Sequence, residues 1–230
     1  MIFQVNLLLL LSGSNAYFIN GYFRLKVVIL DFGMGNLSSI NKKIEIINGV
    51  NPIISSEPND LLNCDKIILP GVGNFSRAML NLTNLNLIKP LNEAVLQNKI
   101  PVLGICLGMQ LMCKNSQEGD VNGLGWIDAN VERFSNQEKK EFKIPHLGWN
   151  NCKFKKNSNL FKNINQDDEF YFVHSFYVRL NEINIIHSST KYFTSFISSF
   201  EKENIFGVQF HPEKSHHSGD LLLKNFFNYV

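Results

Sequence analysis

The first half of the chain alternates short apolar runs with longer segments of mixed polarity. The apolar runs cover residues 25–30, 51–54, 65–69 and 101–105. Runs of this length, rich in Val, Ile and Leu, are typical of strands buried on both faces of a parallel sheet. The intervening segments predict helices over 36–48, 76–82, 91–97 and 107–113. This alternation of strand and helix predicts an α/β fold with a central, mostly parallel sheet.

The second half of the chain has shorter apolar pieces and a different rhythm. The predicted strands there cover 129–134, 151–154, 169–173, 184–189, 194–199 and 204–209. A terminal helix is predicted over 218–229, and no repeat or low-complexity linker interrupts the sequence. We therefore expect one continuous domain.

The N-terminal segment requires a separate interpretation. Residues 7–11 are all Leu and could form the apolar centre of a secretory signal. However, the first basic residue is Arg24, and the apolar run is too short to cross a bilayer. We interpret residues 1–25 as an extension outside the fold and 26–230 as the domain, with a secretory signal as the alternative.

Composition and charge narrow the possible classes of function. Apolar residues make up 44% and charged residues 18%, as expected of a globular chain, and 230 residues can bury a sizeable core. The formal net charge of +2 gives no reason to expect a nucleic-acid or anionic-membrane partner. The four cysteines form no C-x-x-C pair, and no histidine has metal-ligand spacing, so we expect no metal and no cofactor. Because a chain of this size does not depend on a disulfide framework, we expect the cysteines to be reduced and the protein to be cytoplasmic.

Cys106 lies where a predicted buried strand meets a predicted helix, within segment 104–110. The flanking glycines permit the tight turn of a nucleophile elbow, with sulfur in place of oxygen. The positive end of the helix favours a reactive thiolate, and the N–H of Leu107 could face a developing oxyanion. The alternative is a small buried core cysteine, which is how we interpret Cys64, Cys113 and Cys152.

A base for this thiol is predicted in segment 207–215. His211 follows a short apolar strand and precedes Pro212, so it should lie at a strand end. An imidazole can accept and return a proton near neutral pH, and Glu213 could orient it. An incidental histidine in a surface loop is the alternative.

Two glycines follow the predicted strand that ends at residue 69. The loop 70–73 can present backbone N–H groups to an anion, with Val72 or Gly73 as the second oxyanion donor. A plain turn is the alternative.

These segments, in this order, resemble the class I glutamine amidotransferases. The elbow around Cys106 and the distant His-Pro-Glu form that family's pattern, and the likeness is nearest to the glutaminase subunits of imidazole glycerol phosphate synthases. The further matching segments are 31–37, 69–73, 145–150, 171–175 and 207–215. One departure is Phe32, where Tyr is usual. The resemblance covers about residues 26–230 and implies a flavodoxin-like, three-layer fold.

The resemblance also implies roles for individual residues. It implies a triad of Cys106, His211 and Glu213. The residues that it places around substrate L-glutamine are Gly71, Gly73, Gln110, Glu118 and Ser175. The residues that it places against a partner are His146, Trp149, Asn150 and Lys214.

The implied activity is hydrolysis of glutamine to glutamate and ammonia for a (β/α)8-barrel cyclase subunit. That partner would use the ammonia to make imidazole glycerol phosphate and AICAR from PRFAR in histidine biosynthesis. Segments 118–127 and 216–219 instead resemble paralogues thought to supply amidino-sugar synthesis for surface polysaccharide, through a related ammonia-using synthase. A non-catalytic regulatory subunit and a cysteine peptidase are the alternatives from other classes.

Overall fold

The computed structural model describes residues 17–19, 22–135, 143–155, 158–181 and 183–230. The strands are β1 (Tyr17–Ile19), β2 (Tyr22–Leu30), β3 (Val50–Ser55), β4 (Lys66–Leu69), β5 (Val102–Ile105), β6 (Cys113–Ser116), β7 (Val121–Asn122), β8 (Ile127–Arg133), β9 (His146–Asn151), β10 (Lys153–Phe154), β11 (Glu169–His174), β12 (Phe176–Leu180), β13 (Ile186–Lys191), β14 (Ser195–Lys202) and β15 (Ile205–Val208). The helices are α1 (Leu37–Glu45), α2 (Pro58–Leu62), α3 (Phe75–Asn84), α4 (Ile88–Asn92), α5 (Leu107–Leu111) and α6 (His216–Tyr229), with a π-helical turn at Glu93–Gln97 and 3-10 turns at Ile183–Ile185 and Pro212–Lys214.

The centre of the main sheet is parallel, with the strand order β3, β2, β4, β5, β15. Alternate residues of these strands enter two separate apolar clusters. Val28 and Leu30 pack on one face with α3 and α5, whereas Val27 and Ile29 pack on the other with α1 and α6. A parallel sheet covered on both faces has this pattern, so the predicted three-layer α/β fold is confirmed.

Antiparallel strands extend this parallel centre on one side. β15 is followed in the sheet by β14, β12 and β8, while β13 and β10 join at β14. Strands β9 and β11 form a separate antiparallel ribbon. The ribbon contributes Phe170 and Phe172 to the apolar cluster that contains α6.

The parallel strands also bring three loops to one edge of the sheet. β15 lies beside β5 with Gly207 opposite Gly104 and Val208 opposite Ile105, and β4 lies on the other side of β5. The N–H of Cys106 donates to the carbonyl of Val208 at 2.8 Å. The carboxyl ends of β4, β5 and β15 therefore meet, which is where open α/β sheets place their ligands.

Helix α5 is shorter than the predicted helix over 107–113. The carbonyls of Leu111 and Met112 accept hydrogen bonds from the N–H groups of Leu124 and Ile127. These carbonyls are then unavailable to continue the helix, and the chain turns directly into β6.

Two further features differ from the predicted element boundaries. Strands β6, β7, β9 and β12 were not predicted. β1 pairs with β2, with Tyr17 opposite Arg24, so described strand residues precede residue 26. Residues 1–16 lie outside the described residues, and the boundary at 26 stays a prediction. Within the described ranges, no helix combines the length and apolarity needed to span a bilayer.

Candidate active site

Cys106 occupies a strained turn between β5 and α5. Its φ of +52° and ψ of −105° lie outside the regions that L-residues favour. The flanking glycines, Gly104 and Gly108, allow the backbone of α5 to pack closely against β4 and β5. A Cβ on Gly108 would lie 1.8 Å from the Leu69 carbonyl oxygen, and a Cβ on Gly104 would lie 2.7 Å from the Met109 nitrogen. The backbone strain is therefore carried by the cysteine, and the glycines bring the helix against β4 and β5.

His211 and Glu213 form a buried pair after β15. The His211 Nδ1 lies 2.8 Å from Glu213 Oε1, and both side chains are at most 2% exposed. Burial opposes a charge on His211, but interactions with the Cys106 sulfur and the Glu213 carboxylate outweigh it and raise the pKa of His211 to about 10. Among the described residues, His211 Nε2 has no partner in hydrogen-bonding geometry. The charged imidazole is therefore favoured by two neighbouring groups, the Cys106 sulfur and the Glu213 carboxylate.

The main chain around His211 is fixed by a serine that the sequence interpretation did not single out. The Ser215 hydroxyl donates to the His211 carbonyl at 2.6 Å and accepts the N–H of Tyr171 at 3.0 Å. The N–H of His211 donates in turn to the Tyr171 carbonyl at 2.9 Å. The main chain of His211 is thus attached to Tyr171 of β11 twice, directly through its N–H and through the Ser215 hydroxyl at its carbonyl.

A cavity of about 300 Å³ opens in front of Cys106. Its lining residues are Val72, Gly73, Cys106, Leu107, Gln110, Glu118, Pro145, Val173, His174, Ser175 and Phe176. Of the residues predicted around the substrate, Gly73, Gln110, Glu118 and Ser175 belong to this lining and Gly71 does not. None of the lining residues carries a positive charge.

The polar wall of the cavity presents hydrogen-bond acceptors. Gln110 donates both amide hydrogens within the protein, to the Phe176 carbonyl and to Gln209 Oε1, each at 3.0 Å. Its Oε1 is therefore the group left for a ligand. One carboxylate oxygen of Glu118 accepts the N–H of Phe75 at 2.8 Å. An amide oxygen and a carboxylate together suit a bound ammonium group.

Gln209 is a further site residue, to which the sequence interpretation gave no role. It is fully buried, and its Nε2 lies 3.5 Å from Cys106 Sγ. The available indication was a polar residue between apolar Val208 and Phe210 at the end of a buried strand.

The predicted oxyanion donors lie close together, but one of them is engaged. The N–H of Leu107 donates to the Gly71 carbonyl at 3.3 Å. Gly73 has a φ of +109°, and Val72 is 40% exposed beside it. An oxyanion at Cys106 would have to displace the Gly71 carbonyl to receive the Leu107 hydrogen.

Two buried histidines lie at the cavity, with His174 in its lining and His146 next to His174. His146 Nδ1 is 3.0 Å from His174 Nε2, and His174 Nδ1 is 2.8 Å from the Phe176 carbonyl oxygen. Burial lowers the pKa of His146 to about 4 and that of His174 to about 3. His146 was predicted at a partner interface, but the structure places it inside, where its Nε2 faces the Asn150 amide at 3.4 Å. We call His146 and His174 the histidine pair.

Of the other predicted interface residues, Trp149 and Lys214 lie on an exposed face, whereas Asn150 is partly buried and donates to the Lys191 carbonyl at 3.1 Å. Trp149 is 41% exposed and stacks on His216 with ring centroids 4.8 Å apart. The Lys214 ammonium lies 5.5 Å from the centre of the Tyr171 ring. Leu147 is 61% exposed on the same strand as Trp149. We call Leu147, Trp149, Lys214 and His216 the ribbon patch.

The remaining cysteines lack the setting of Cys106. Burial raises the pKa of Cys64 to about 12 and that of Cys152 to about 11, and it also raises the pKa of Cys113. All three are buried free thiols. In the described part of the chain, no three metal-binding side chains group together.

The chain is similar to known proteins over most of its length. Residues 28–230 match the family described as Glutamine amidotransferase class-I. The chain is 47% identical over 200 residues to imidazole glycerol phosphate synthase subunit HisH 2 of Methanococcus maripaludis, covering 87% of this chain and 98% of that protein. It is 45% identical over 201 residues to subunit HisH 1 of Campylobacter jejuni subsp. jejuni serotype O:23/36, covering 87% and 98%.

Solved structures support the fold alone. The glutaminase domain of Trypanosoma brucei CTPS, solved with bound acivicin, superimposes with a TM-score of 0.63 at 19% identity. The match covers 88% of this chain and 92% of that one.

Proposed function

Because the chain belongs to the class I glutamine amidotransferase family, we propose that it is the glutaminase subunit of an imidazole glycerol phosphate synthase. It hydrolyses glutamine to glutamate and ammonia, with Cys106 as nucleophile, His211 as acid and base, and Glu213 as its orienting carboxylate. The observation that carries the proposal is the strained Cys106 at the cavity, backed by the buried pair of His211 and Glu213.

The reaction begins with the Cys106 thiolate and a protonated His211. Sulfur attacks the side-chain amide carbon of glutamine, and the carbonyl electrons move to oxygen. The Leu107 N–H and the loop around Val72 and Gly73 stabilise this oxyanion once the Gly71 carbonyl has moved aside. His211 Nε2 then protonates the leaving nitrogen, so the C–N bond breaks and ammonia departs from the thioester.

The second half of the reaction restores the enzyme. His211, now neutral, removes a proton from water as the water oxygen attacks the thioester carbon. The C–S bond breaks, glutamate leaves, and the thiolate and the imidazolium are regenerated. Glu213 accepts a hydrogen bond from Nδ1 throughout and so directs Nε2 towards the reacting atoms.

Substrate binding follows from the acceptors in the cavity. The α-ammonium of glutamine is held by Gln110 Oε1 and by the Glu118 carboxylate. Since no lining residue is cationic, the α-carboxylate is held by neutral donors, with the Ser175 hydroxyl among them.

The ammonia is passed to a synthase that docks on the ribbon patch. The relatives' printed name, a synthase subunit, supports a complex in which a cyclase subunit, here proposed to be a (β/α)8 barrel, makes imidazole glycerol phosphate and AICAR from PRFAR. We place this complex in the cytoplasm.

The proposal is tested by replacing Cys106 in the complex with its synthase. Cys106→Ala should lower glutamate release from glutamine by at least about 10³-fold, because no other group can form the thioester. Synthesis from added ammonium salt should remain. Enzyme-coupled detection of glutamate, and product formation from PRFAR, measure the two activities.

Cys64→Ala is the matched control, since Cys64 is also a buried free thiol but does not line the cavity. It should retain both activities. If Cys106→Ala releases glutamate at the native rate, the glutaminase assignment is rejected. If the complex makes no product from PRFAR and added ammonium salt, the assigned partner is rejected.

A further inference from the structure

One backbone carbonyl fixes the positions of hydrogens on both of its sides. The Phe176 oxygen accepts from Gln110 Nε2 at 3.0 Å and faces His174 Nδ1 at 2.8 Å. A carbonyl oxygen can only accept, so both facing nitrogens must carry hydrogen. The amide of Gln110 can therefore adopt only one of its two orientations.

The orientation of Gln110 then determines that of Gln209. Gln110 Nε2 also lies 3.0 Å from the Gln209 side chain, so an oxygen of Gln209 must face it. The remaining atom of that amide, Nε2, consequently points at Cys106 Sγ, 3.5 Å away. The sulfur thus faces an N–H donor of Gln209. The direction of this donor is set by the Phe176 carbonyl through Gln110.

We propose that Gln209 is a positioning residue for the nucleophile, and that its buried amide donates to the Cys106 sulfur because the Phe176 carbonyl, acting through Gln110, allows no other orientation. This inference rests on the proposed function and adds a residue to it. It also joins the substrate-binding amide of Gln110 to the nucleophile within one hydrogen-bond chain.

The chemical consequence concerns the two charge states of sulfur. A thiolate accepts hydrogen bonds more strongly than a thiol, so a fixed donor favours the thiolate. Gln209 is fully buried, which removes competing water and strengthens the effect. Gln209 is a second group, besides His211, that holds the sulfur in its reactive state.

Two substitutions separate this role from a purely structural one. Gln209→Glu keeps an oxygen that accepts from Gln110 but replaces the donor with a negatively charged oxygen. Gln209→Leu has a similar size and removes both the donor and the acceptor. The glutamate variant should therefore disturb the sulfur alone, whereas the leucine variant should disturb the sulfur and Gln110.

The experiment measures alkylation of Cys106 by iodoacetamide across pH in the full chain, with mass spectrometry of the Cys106 peptide. In both variants the midpoint of the pH profile should move upwards, and the alkylation rate at pH 7 should fall by about 10-fold or more. With the synthase bound, kcat should fall in both variants. KM for glutamine should rise clearly only in Gln209→Leu.

Gln166→Leu is the matched control, because Gln166 is an exposed glutamine that donates to the Phe154 carbonyl in another part of the molecule. It should alkylate with the native profile. If Gln209→Glu does not fold, Gln209→Asn provides the test, because the shorter amide cannot reach both Gln110 and the sulfur.

A folded Gln209→Glu or Gln209→Asn variant with the native midpoint and native kcat would overturn the inference and leave the glutaminase assignment intact. Failure of the assignment itself would show separately, as glutamine hydrolysis that survives in Cys106→Ala.

Discussion

At the scale of single residues, hydrogen placement decides what each polar side chain can do. The Phe176 carbonyl requires a hydrogen on His174 Nδ1, so a neutral His174 has its lone pair on Nε2. His146 must then supply the hydrogen between the two rings through Nδ1, and its own Nε2 accepts from Asn150. A proton added to His174 Nε2 would face the hydrogen on His146 Nδ1. A proton added to His146 Nε2 would face the amide hydrogen of Asn150.

The histidine pair should make the protein sensitive to acid. Unfolded histidines titrate near pH 6.5, whereas these two have folded pKa values of about 4 and 3. Between pH 6.5 and those values the unfolded chain binds more protons, so the free energy of unfolding falls as pH falls. At pH 5 the loss should be about 2 kcal/mol for each ring.

Urea unfolding measured between pH 5 and 7 tests this prediction. His146→Gln should show a shallower dependence on pH, by about one proton, than the native chain. Exposed His217→Gln serves as the control and should keep the native slope. His211 contributes with the opposite sign and in another window, since its pKa is raised and its stabilisation is lost as pH rises from 6.5 through about 10. A native slope in His146→Gln would contradict the prediction.

At the scale of elements, the end of α6 depends on a lysine from the sheet. Lys66 in β4 donates to the carbonyls of Phe226, Phe227 and Val230 at 2.7, 3.1 and 2.7 Å. Burial lowers its pKa to about 8. The ammonium satisfies carbonyls that have no partner within the helix, and its charge complements the negative end of the helix dipole.

Lys66→Met should destabilise the protein by about 1–3 kcal/mol, because it leaves buried carbonyls without donors. Lys43→Met is the matched control. Lys43 also contacts α6, through a partly exposed ion pair with Asp220, and its loss should change stability by less than about 1 kcal/mol.

Urea unfolding gives the two free energies, and amide hydrogen exchange should show faster opening of the last turn of α6 in Lys66→Met alone. Equal stability losses in the two variants would show that the buried contact has no special role.

At the scale of the whole molecule, the ribbon patch is the surface proposed to meet the synthase. Leu147 and Trp149 expose apolar area on one strand, and His216 presents its ring against the indole. Exposed aromatic residues of this kind concentrate binding energy at interfaces.

Trp149→Ala should weaken the complex with the synthase by roughly 10- to 100-fold, as measured by calorimetric titration. The control is Ile183→Ala, which removes an even more exposed apolar side chain, 78% exposed, on a 3-10 turn outside the ribbon. An unchanged Kd for Trp149→Ala would contradict docking of the synthase on the ribbon patch.

The sequence predicted much of this molecule because several of its constraints are local. The apolar runs predicted the central parallel strands. The helix predicted over 36–48 corresponds to α1, and the Asn36 side chain caps it by accepting the Ser39 N–H. The segment around Cys106 likewise predicted a strand, a turn and a helix, and these are present.

The features that sequence analysis missed depend on distant contacts. The early end of α5 comes from residues 124 and 127, which take its carbonyls, and no pattern within 107–113 indicates this. The role proposed for Gln209 depends on the Phe176 carbonyl, 33 positions earlier in the chain. His146 was predicted to face a partner, but its strand turns that side chain inward and leaves Leu147 and Trp149 more exposed.

The register between β5 and β15 has a consequence for how such chains can change length. Val208 lies opposite Ile105, Cys106 follows β5 directly, and His211 lies three residues after the end of β15. An inserted or deleted residue in either strand would slide Cys106 past His211 by about 3.3 Å and turn every later side chain to the opposite face. Loops far from this edge can therefore change length during evolution without moving Cys106 relative to His211. A change of length in β5 or β15 alone would separate these two residues.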